Sequence, residues 1–515
     1  MLRVFQNDLA DPGHFTITLE LVPGRESKGR AVDTVMGIAR DAFADGRISA
    51  VSITDNPGGN PSLSPDVIGH SIFQLGMDVI VHFTCRDMNR VGMESRALQL
   101  AMMGMKNILA LSGDYAGRGF GGQGAPVFDL DSVHLQILLG YLSERMQASG
   151  DPDGFFAGCA VSPFKQTEGE SFAQYAKLCR KAAAGAQFVI TQLGFDARKF
   201  KELIQVQQVM GLKIPTLGSV YVLSPKAAEI MHSGKVPGAV VTDALFARIK
   251  KEGRDKQSAQ RAAVERTARL AAVLKGLGYK GIHIGGIHKS FETAGRILDR
   301  FSEIEGHWRE FVQDFDFPLP GGFYAFAPDG ADPSPAPLFG TRPAGGPSLL
   351  ERGRFTVLKG AHDLFFNREN LLAPLFRKLA GNLDGRIGGR MLTELIEHPL
   401  KSMLLHCAMC GDCGIQHLAF LCPESQCPKH TRNGACGGSS SGRCEVFPDR
   451  PCVWFRAYRR LAFAGRTAEF VNSCVPPRMW ELNHSSSWIN FHLGRDHQDA
   501  SNPVALRCRT SCCTL

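Results

Sequence analysis

The sequence predicts an α/β protein in which a (β/α)8 TIM barrel is followed by a smaller, cysteine-rich and mainly helical domain that binds metal. Two observations lead to this prediction. Eight short apolar, β-branched runs recur through the first 290 residues, and twelve of the 15 cysteines lie after residue 406. A chain of 515 residues is too long for one ordinary core, so two or three domains are expected.

The eight apolar runs are predicted to be parallel strands, because near-continuous hydrophobicity suits strands that are covered on both faces. They are FTITLELV (15–22), ISAVSITD (48–55), DVIVHFTC (78–85), KNILALSG (106–113), FFAGCAVS (155–162), FVITQLGF (188–195), IPTLGSVY (214–221) and GIHIGGIH (281–288). Strand–helix units repeated eight times favour a closed barrel. An open doubly wound sheet is the alternative if one or two runs are assigned wrongly.

The segments outside the strands complete this organisation. Apolar residues at helical spacing predict a helix over 171–186, and two more helices, over 363–383 and 391–405, are predicted to lead into the cysteines. Pro/Gly-rich sequence marks the linker, and the end of the chain shows no periodicity. The predicted divisions are a barrel over 1–315, a linker over 316–350, a cysteine-rich domain over 351–495 and a disordered tail over 496–515.

Composition and charge exclude several classes of protein. The N-terminal sequence MLRVFQNDLADPGHF has no basic-then-apolar run, and no stretch of about 18 uncharged apolar residues occurs. We therefore expect a cytoplasmic protein without a membrane span. The net charge of +8 is modest for this length, and the late cluster of Arg456, Arg459 and Arg460 is interpreted as a solvated basic face rather than a nucleic-acid surface. A dock for an acidic partner, or for a polyglutamyl tail, is the alternative.

Polar residues gather at the C-terminal ends of the predicted strands, where barrels of this kind build their active sites. Any single one of them can be a satisfied structural polar group, but their recurrence around the barrel favours a ligand-binding rim. They are Glu20, Thr54, Asp55, His82, Thr84, Asp114, Gln192, Tyr221 and His288.

Three of these strand ends resemble motifs of the methylenetetrahydrofolate reductase family, whose catalytic barrel binds a flavin. The first strand, ITLELVPGR, is similar to the family's Phe-Glu-Phe-Phe-Pro-Pro signature and puts Glu20 at its catalytic glutamate. The fourth, ILALSGD, is similar to Ala-Leu-Arg-Gly-Asp and matches Asp114. The sixth, FVITQLGFD, is similar to Ile-Thr-Gln-Phe-Phe-Phe-Asp and matches Gln192. The resemblance extends over roughly residues 10–305.

The resemblance implies a role for each matched residue. Glu20 would be the general acid when the five-membered ring of the folate opens; the alternative is a carboxylate that only accepts backbone N–H bonds. Asp114 would lie beside the flavin pyrimidine edge and the folate pterin, and the amide of Gln192 would pair with the pterin. The other matched positions, which contact the flavin in the family, are Thr54, His82 and Lys181.

Departures from the family pattern bear on the cofactor. Ser112 replaces a family arginine, Val161 a tyrosine, and Gln174 an aspartate that helps to hold the nucleotide half of FAD. FAD is the cofactor that the resemblance implies, and FMN is the alternative. The glycine-rich GRGFGG (117–122) fits a dinucleotide pattern only weakly, because no helix is expected to start there, and we interpret it as a flexible loop over the flavin site.

The cysteine-rich region is predicted to bind metal, because disulfides are disfavoured in a chain without an export signal. Its C-x2-C-x2-C opening resembles a ferredoxin run and favours a [4Fe–4S] cluster, with zinc as the alternative. The motif NGACGG (433–438) resembles the cysteine-rich C-terminal domain or partner subunit of some anaerobic methylenetetrahydrofolate reductases, which implies an electron route to the flavin. The candidate ligands are Cys407, Cys410, Cys413, Cys422, Cys427, Cys436, Cys444 and Cys452.

The predicted function is therefore the flavin-dependent reduction of 5,10-methylenetetrahydrofolate to 5-methyltetrahydrofolate. Electrons would come from NAD(P)H or, through the cysteine-rich domain, from a ferredoxin-like donor. We expect a homo-oligomer or part of a redox complex. Two alternatives remain open at this point, which are a zinc-dependent methyltransferase and a non-catalytic folate-binding subunit of a larger one-carbon complex.

Overall fold

The computed structural model describes residues 4–253, 255–326, 346–471, 474–499 and 503–508. It confirms the closed barrel of eight parallel strands and excludes the open sheet. Each of the eight predicted runs contains one barrel strand. The strands are β1 Thr16–Leu21, β2 Ala50–Ile53, β3 Val79–Thr84, β4 Asn107–Leu111, β5 Phe156–Val161, β6 Phe188–Thr191, β7 Thr216–Tyr221 and β8 Gly281–Gly285.

The barrel closes because each strand pairs with its neighbour in sequence and β8 returns to β1. In this closing pair Thr16 lies opposite Gly281 and Leu19 opposite Ile284. All six residues of β3 are buried, since one face meets the barrel interior and the other the helical layer. The runs are continuously hydrophobic because both faces of each strand are buried, as the sequence predicted.

Eleven helices accompany the strands in the described part of residues 4–304. The predicted helix over 171–186 is confirmed, but it starts at Glu168, because Thr167 and Glu170 form a capping box there. The helices are α1 Val4–Ala10, α2 Arg30–Asp45, α3 Pro65–Phe73, α4 Arg90–Met102, α5 Ser132–Ala148, α6 Glu168–Ala183, α7 Ala197–Val209, α8 Pro225–His232, α9 Asp243–Glu252, α10 Lys256–Gly276 and α11 Glu292–Ile304. Shorter elements are the 3-10 helices Pro57–Gly59 and Glu305–Phe315 and the hairpin Arg118–Gly119/Gly122–Gln123.

Helix α1 closes the bottom of the barrel. Its Phe5 is fully buried and packs edge-on against Phe156 and Phe188, with ring centroids 5.9 and 5.2 Å away. The backbone N–H of Phe5 donates to the carboxylate of Asp78 at 2.9 Å. This apolar plug fills the N-terminal ends of the strands, so a ligand site is expected at their C-terminal ends.

The cysteine-rich region is mainly helical, as predicted. The predicted helix over 363–383 is interrupted between Phe365 and Ala373, whereas the one over 391–405 is continuous through a π-helical turn, Leu392–Glu397. The helices are α12 Leu349–Phe365, α13 Ala373–Leu383, α14 Ile387–Met391, α15 His398–Leu405, α16 Pro423–Gln426, α17 Val453–Phe463, α18 Ser487–Leu493 and α19 Pro503–Cys508, with 3-10 helices Ile415–Leu418, Thr467–Val471 and Trp480–Leu482.

The linker and the tail are described only in part. Residues 327–345 of the predicted linker lie outside the described residues. Within the predicted disordered tail, α19 is helical, and its Cys508 forms a disulfide with Cys474. This corrects the expectation that disulfides are disfavoured; the partner lies 34 residues away, and local periodicity carries no signal for such a pairing.

The cysteine-rich domain shares a core with the barrel. Helix α17 packs on α6, where the ring of Tyr458 lies 5.1 Å from that of Phe172. Trp454 is 2% exposed and belongs to the same apolar cluster. The second domain is thus joined to the barrel rather than tethered beside it. None of the helices in the described ranges is long and apolar enough to cross a membrane.

Candidate active site and metal centres

The C-terminal ends of the strands open into a cavity of about 560 Å³, which lies in the ~300–1,000 Å³ range of small-molecule sites. Every barrel residue to which the sequence assigned a catalytic or binding role lines it. These residues are Glu20, Thr54, His82, Asp114, Lys181 and Gln192. Of the wider set of strand-end residues, His288 does not line this cavity; its Nε2 lies 3.5 Å from the hydroxyl of Tyr221.

Three of the lining side chains form a compact group on the cavity wall. The ligand atoms of Glu20, His82 and His283 all lie within 4.8 Å of one another, the only such set of His, Cys, Asp and Glu in the described ranges. Oε2 of Glu20 lies 3.9 Å from Nε2 of His283. The sequence prediction missed His283, although it lies in the eighth run, because it stands in mid-strand rather than at the strand end.

The electrostatics of this group favour an ionised Glu20 and a neutral His82. Burial raises the pKa of Glu20, but the nearby imidazole of His283, 3.9 Å away, and the charges of His82 and His288 hold that pKa below its usual value. Burial lowers the pKa of His82 to about 4. Its Nε2 is buried and has no hydrogen-bond partner among the described residues.

Asp114 and Thr54 lie at the ends of β4 and β2. The carboxylate of Asp114 accepts the backbone N–H of Gly58 at 2.8 Å, which ties together the loops that follow these strands. The hydroxyl of Thr54 is buried without a partner in the described part of the chain. Together with Nε2 of His82, it is a buried polar atom that a bound ligand would satisfy.

Gln192 and Lys181 use part of their hydrogen-bonding capacity on the backbone. Oε1 of Gln192 accepts the N–H of Leu193 at 2.9 Å, which fixes the orientation of the amide. Nζ of Lys181 donates to the carbonyl of Ala160 at 2.6 Å, and burial lowers the pKa of this lysine to about 8. An anionic group beside Lys181 would raise this pKa and favour the charged form of the lysine.

The cysteine-rich domain supplies part of the cavity wall, which the sequence did not predict. Its lining residues include Lys429, Cys436 and Glu445. Nζ of Lys429 donates to the carbonyl of Gly113 at 2.7 Å and pairs with Glu445. Because Gly113 directly precedes Asp114, the second domain contacts the barrel next to a candidate catalytic residue.

Buried barrel side chains hold the NGACGG motif against the cavity. The carboxylate of Asp131 accepts the backbone N–H groups of Arg432 and Asn433 at 3.1 and 2.9 Å. Nζ of Lys165 donates to the carbonyls of Gly437 and Ser439. Glycine is required at 437, where φ is +97°. The NGACGG motif could be recognised in the sequence, but the sequence did not indicate that the motif contacts the barrel.

Gln174 also contacts this motif. Its amide donates to the carbonyl of Ala435 at 3.4 Å and accepts the N–H of Ser162 at 3.4 Å. In the family pattern this position is an aspartate that helps to hold the nucleotide half of FAD. Here the side chain holds the second domain instead.

The eight candidate metal-binding cysteines separate into two sets of four. Cys407, Cys410, Cys413 and Cys422 line one small cavity. Cys427, Cys436, Cys444 and Cys452 form the other set, in which each thiol lies within electrostatic range of at least two others. The second set adjoins the barrel cavity, since Cys436 lines it.

Both sets have the donor chemistry of a metal site. Burial raises the pKa of Cys410 and Cys452 to about 12, so these groups are neutral thiols unless a cation binds and displaces their protons. Buried lysines face each set, Lys401 the first, and Lys165 and Lys429 the second. Positive charge at these positions compensates for thiolates, and four thiolates suit either zinc or an iron–sulfur cluster.

Comparison with known families gives two matches in chain order. A family model described as "Methylenetetrahydrofolate reductase" matches residues 5–301, which is more than half of the chain. A second, described as "Methylene-tetrahydrofolate reductase C terminal", matches residues 391–481. The first covers the barrel, and the second covers all eight candidate metal ligands.

Two curated relatives match part of the chain. The probable methylenetetrahydrofolate reductase (NADPH) of Caenorhabditis elegans is 26% identical over 187 residues, which are 35% of this chain and 26% of the relative. Methylenetetrahydrofolate reductase 1 of Schizosaccharomyces pombe is 27% identical over 174 residues, which are 33% of this chain and 27% of the relative. The chain therefore spans about a quarter of the length of these relatives.

Among solved structures, an uncharacterised protein from Clostridium thermocellum that binds two copies of 5-methyl-5,6,7,8-tetrahydrofolic acid aligns with 59% of this chain and 99% of its own. The TM-score is 0.40 and the sequence identity 11%.

Proposed function

Because the chain belongs to the methylenetetrahydrofolate reductase family and is thus an oxidoreductase, we propose that it reduces 5,10-methylenetetrahydrofolate to 5-methyltetrahydrofolate with a flavin held in the barrel cavity. One observation carries the proposal. Glu20, Asp114 and Gln192 come from three different strands and line the same cavity. A non-catalytic scaffold has no need for an acid, a carboxylate and an oriented amide at one barrel mouth.

The chemistry of the cavity fits a flavin. Two of the buried polar atoms without partners among the described cavity residues, on Thr54 and His82, lie at positions that contact the isoalloxazine in the family. Lys181 offers a cation for a phosphate, and FAD is the family cofactor. The engagement of Gln174 with the second domain removes one contact to the nucleotide half, so identification of the released flavin will distinguish FAD from FMN.

A bound flavin supplies the hydride for the methylene carbon, and the chain's own residues position the folate and move the proton. Gln192 presents an amide with one donor and one acceptor face to the pterin edge. Asp114 holds a negative charge beside the reacting rings and disfavours further negative charge on them. Glu20 donates a proton to the folate as its five-membered ring opens.

The ionisation of Glu20 constrains when this proton arrives. The pKa of Glu20 lies below its usual value in the open cavity, so near neutral pH the group is a carboxylate there. A folate and a flavin that fill the cavity exclude water and favour the neutral acid. Proton uptake therefore accompanies folate binding, and His283, whose Nε2 lies 3.9 Å from Glu20, would relay the proton to this carboxylate.

The cysteine sets support an electron route through the second domain. Cys427, Cys436, Cys444 and Cys452 are the residues that would hold a cluster next to the flavin cavity, and Cys407, Cys410, Cys413 and Cys422 would hold a second. Iron–sulfur clusters there would accept electrons from a ferredoxin-like donor; zinc would only cross-link the domain, and NAD(P)H would then be the donor.

The test is an ultraviolet–visible spectrum of protein purified without oxygen, with flavin, iron and zinc assayed on the same sample, followed by turnover of 5,10-methylenetetrahydrofolate. Flavin, iron and turnover with a reduced viologen are the expected result. Flavin with zinc and NAD(P)H turnover keeps the reductase and changes the donor. A protein without flavin after reconstitution, or a loaded protein without folate turnover, would overturn the proposal.

A further inference from the structure

The cavity wall beside Asp114 carries a cation that comes from the second domain. Lys429 is 3% exposed, and its Nζ donates to the carbonyl of Gly113 at 2.7 Å and pairs with Glu445. The barrel segment at this point, residues 112–114, has no basic residue of its own. Lys429 therefore brings positive charge to a part of the wall at which the barrel supplies a carboxylate.

The ammonium group of Lys429 keeps one N–H for a ligand. A lysine has three such donors. The carbonyl of Gly113 and the carboxylate of Glu445 take two of them, and no third acceptor binds Nζ in the described part of the chain. Because Lys429 lines the cavity, the remaining donor and the positive charge are available to a molecule that fills it.

Without Lys429 this part of the wall would hold two uncompensated carboxylates. Asp114 and Glu445 both line the cavity, and both lie within electrostatic range of Nζ. Reduction brings electrons to the ring system of a flavin, so negative charge beside the ring opposes reduction and positive charge favours it. Lys429 thus has the opposite effect to Asp114 on the same edge of the cavity.

The ion pair of Lys429 and Glu445 also faces the second set of cysteines. Sγ of Cys436 donates to Oε1 of Glu445 at 3.2 Å. Lys429 follows Cys427 by two residues, and Glu445 follows Cys444 directly. The loops that carry the ion pair are therefore the loops that carry this cysteine set, so the position of the cation depends on the fold of the second domain.

We propose that Lys429 tunes the flavin from the second domain: its ammonium group stabilises the reduced flavin and makes the oxidised flavin a better electron acceptor. This inference rests on the proposed flavin site. The second domain is then part of the flavin site itself, and not only a route for electrons.

The test is the midpoint potential of the bound flavin, measured against a redox dye in protein purified without oxygen. Lys429→Gln keeps N–H donors near Gly113 and Glu445 but removes the charge. Its flavin should be about tenfold harder to reduce, which is a potential lower by ~30 mV for a two-electron couple. Lys429→Arg keeps the charge and should retain the potential of the unmodified protein.

The matched control is Lys165→Gln. Lys165 is 2% exposed and also donates to carbonyls of the second domain, those of Gly437 and Ser439, but it does not line the cavity. A lysine that only joins the two domains should affect the flavin no more than this one does. We therefore expect the ease of flavin reduction in Lys165→Gln to change by less than about twofold, because the charge is farther from the ligand.

Glu445→Gln decides the question if Lys429→Gln does not fold or loses its flavin. This variant removes the negative partner and leaves the ammonium group, so its flavin should be about tenfold easier to reduce. An unchanged potential in Lys429→Gln or, where that variant fails, in Glu445→Gln would overturn the proposal, and so would an equal shift in Lys165→Gln. If the unmodified protein holds flavin and reduces folate, these results leave the proposed function intact; an unmodified protein without flavin overturns both.

Discussion

Oε2 of Glu20 lies 3.9 Å from Nε2 of His283, across the wall of the barrel cavity. Nδ1 of His283 lies 2.8 Å from the hydroxyl of Thr18, which itself donates to the carbonyl of Ile282. Nε2 of His283 also lies 3.4 Å from the hydroxyl of Ser52, so this nitrogen faces both Ser52 and Glu20 at the cavity wall.

The first prediction concerns the pH dependence of turnover. The proposed reaction uses a protonated Glu20, so kcat/KM should fall with rising pH above the pKa of this carboxyl in the free enzyme. His283→Asn removes the imidazole that lowers this pKa and leaves the burial that raises it. The descending limb should therefore move to higher pH.

The control for this experiment is His288→Asn. His288 makes the smallest of the contributions that lower the pKa of Glu20, so this variant should move the profile less. A His283→Asn profile that is unchanged, or that moves to lower pH, would contradict the assigned coupling.

The second prediction separates the two half-reactions. Glu20→Gln keeps the size and polarity of the side chain but removes its proton. Flavin content and flavin reduction by the electron donor should be retained, and folate reduction should fall by about 10²–10⁴-fold. Single-turnover absorbance at the flavin band measures both steps. Glu26→Gln, outside the cavity lining, is the matched control, and unimpaired folate turnover by Glu20→Gln would rule out the acid role.

Sequence patterns predicted the barrel well and the second domain poorly, for physical reasons. Parallel strands are buried on both faces, so each of the eight leaves a local apolar run. The barrel topology brings the C-terminal ends of the strands together, so six residues that are distant in sequence could be assigned to one cavity. His283 was missed because it stands inside a strand, and a strand interior gives no local sign that a side chain reaches the cavity mouth.

The position of the second domain follows from contacts that no local pattern records. Lys429 reaches Gly113 across 316 residues, and Asp131 reaches Asn433 across 302. The cysteine spacing predicted thiolate chemistry but left open whether the eight cysteines form two four-thiolate sites or one. That division arises from the fold, which brings Cys452 back beside Cys427.

The third prediction tests this division by metal content. Cys413→Ser removes a ligand from the first set, and Cys444→Ser removes one from the second. With two independent sites, each single variant should lose about half of the bound metal and the double variant nearly all of it, because three thiolates hold a cluster poorly. Cys179→Ser, at a buried position on α6, should lose none. A single variant that loses all of the metal would indicate one shared site.

The fourth prediction concerns the attachment of the second domain to the barrel. Asp131 is 2% exposed and caps α5, and its other oxygen accepts the N–H groups of Arg432 and Asn433. Burial raises its pKa, but the charges of His134 and Lys177 and the backbone N–H groups of His134 and Val133 at the helix cap keep the pKa well below its usual value. A depressed pKa means that the stability from this group is present above the unfolded-state pKa and is lost as pH falls through the folded-state value.

In Asp131→Asn the side-chain NH2 group can face the backbone N–H groups of Arg432 and Asn433, which then lose their acceptor. We expect the free energy of unfolding of the second domain to fall by about 1–3 kcal/mol. Tryptophan fluorescence in denaturant reports this transition, because three of the four tryptophans, Trp454, Trp480 and Trp488, lie in this domain. Asp255→Asn is the matched control, since Asp255 caps α10 at an exposed position without an interdomain bond. The difference between the two variants should shrink as the pH approaches the range in which Asp131 itself is protonated. Equal effects of the two substitutions at neutral pH would show that Asp131 acts only as a helix cap.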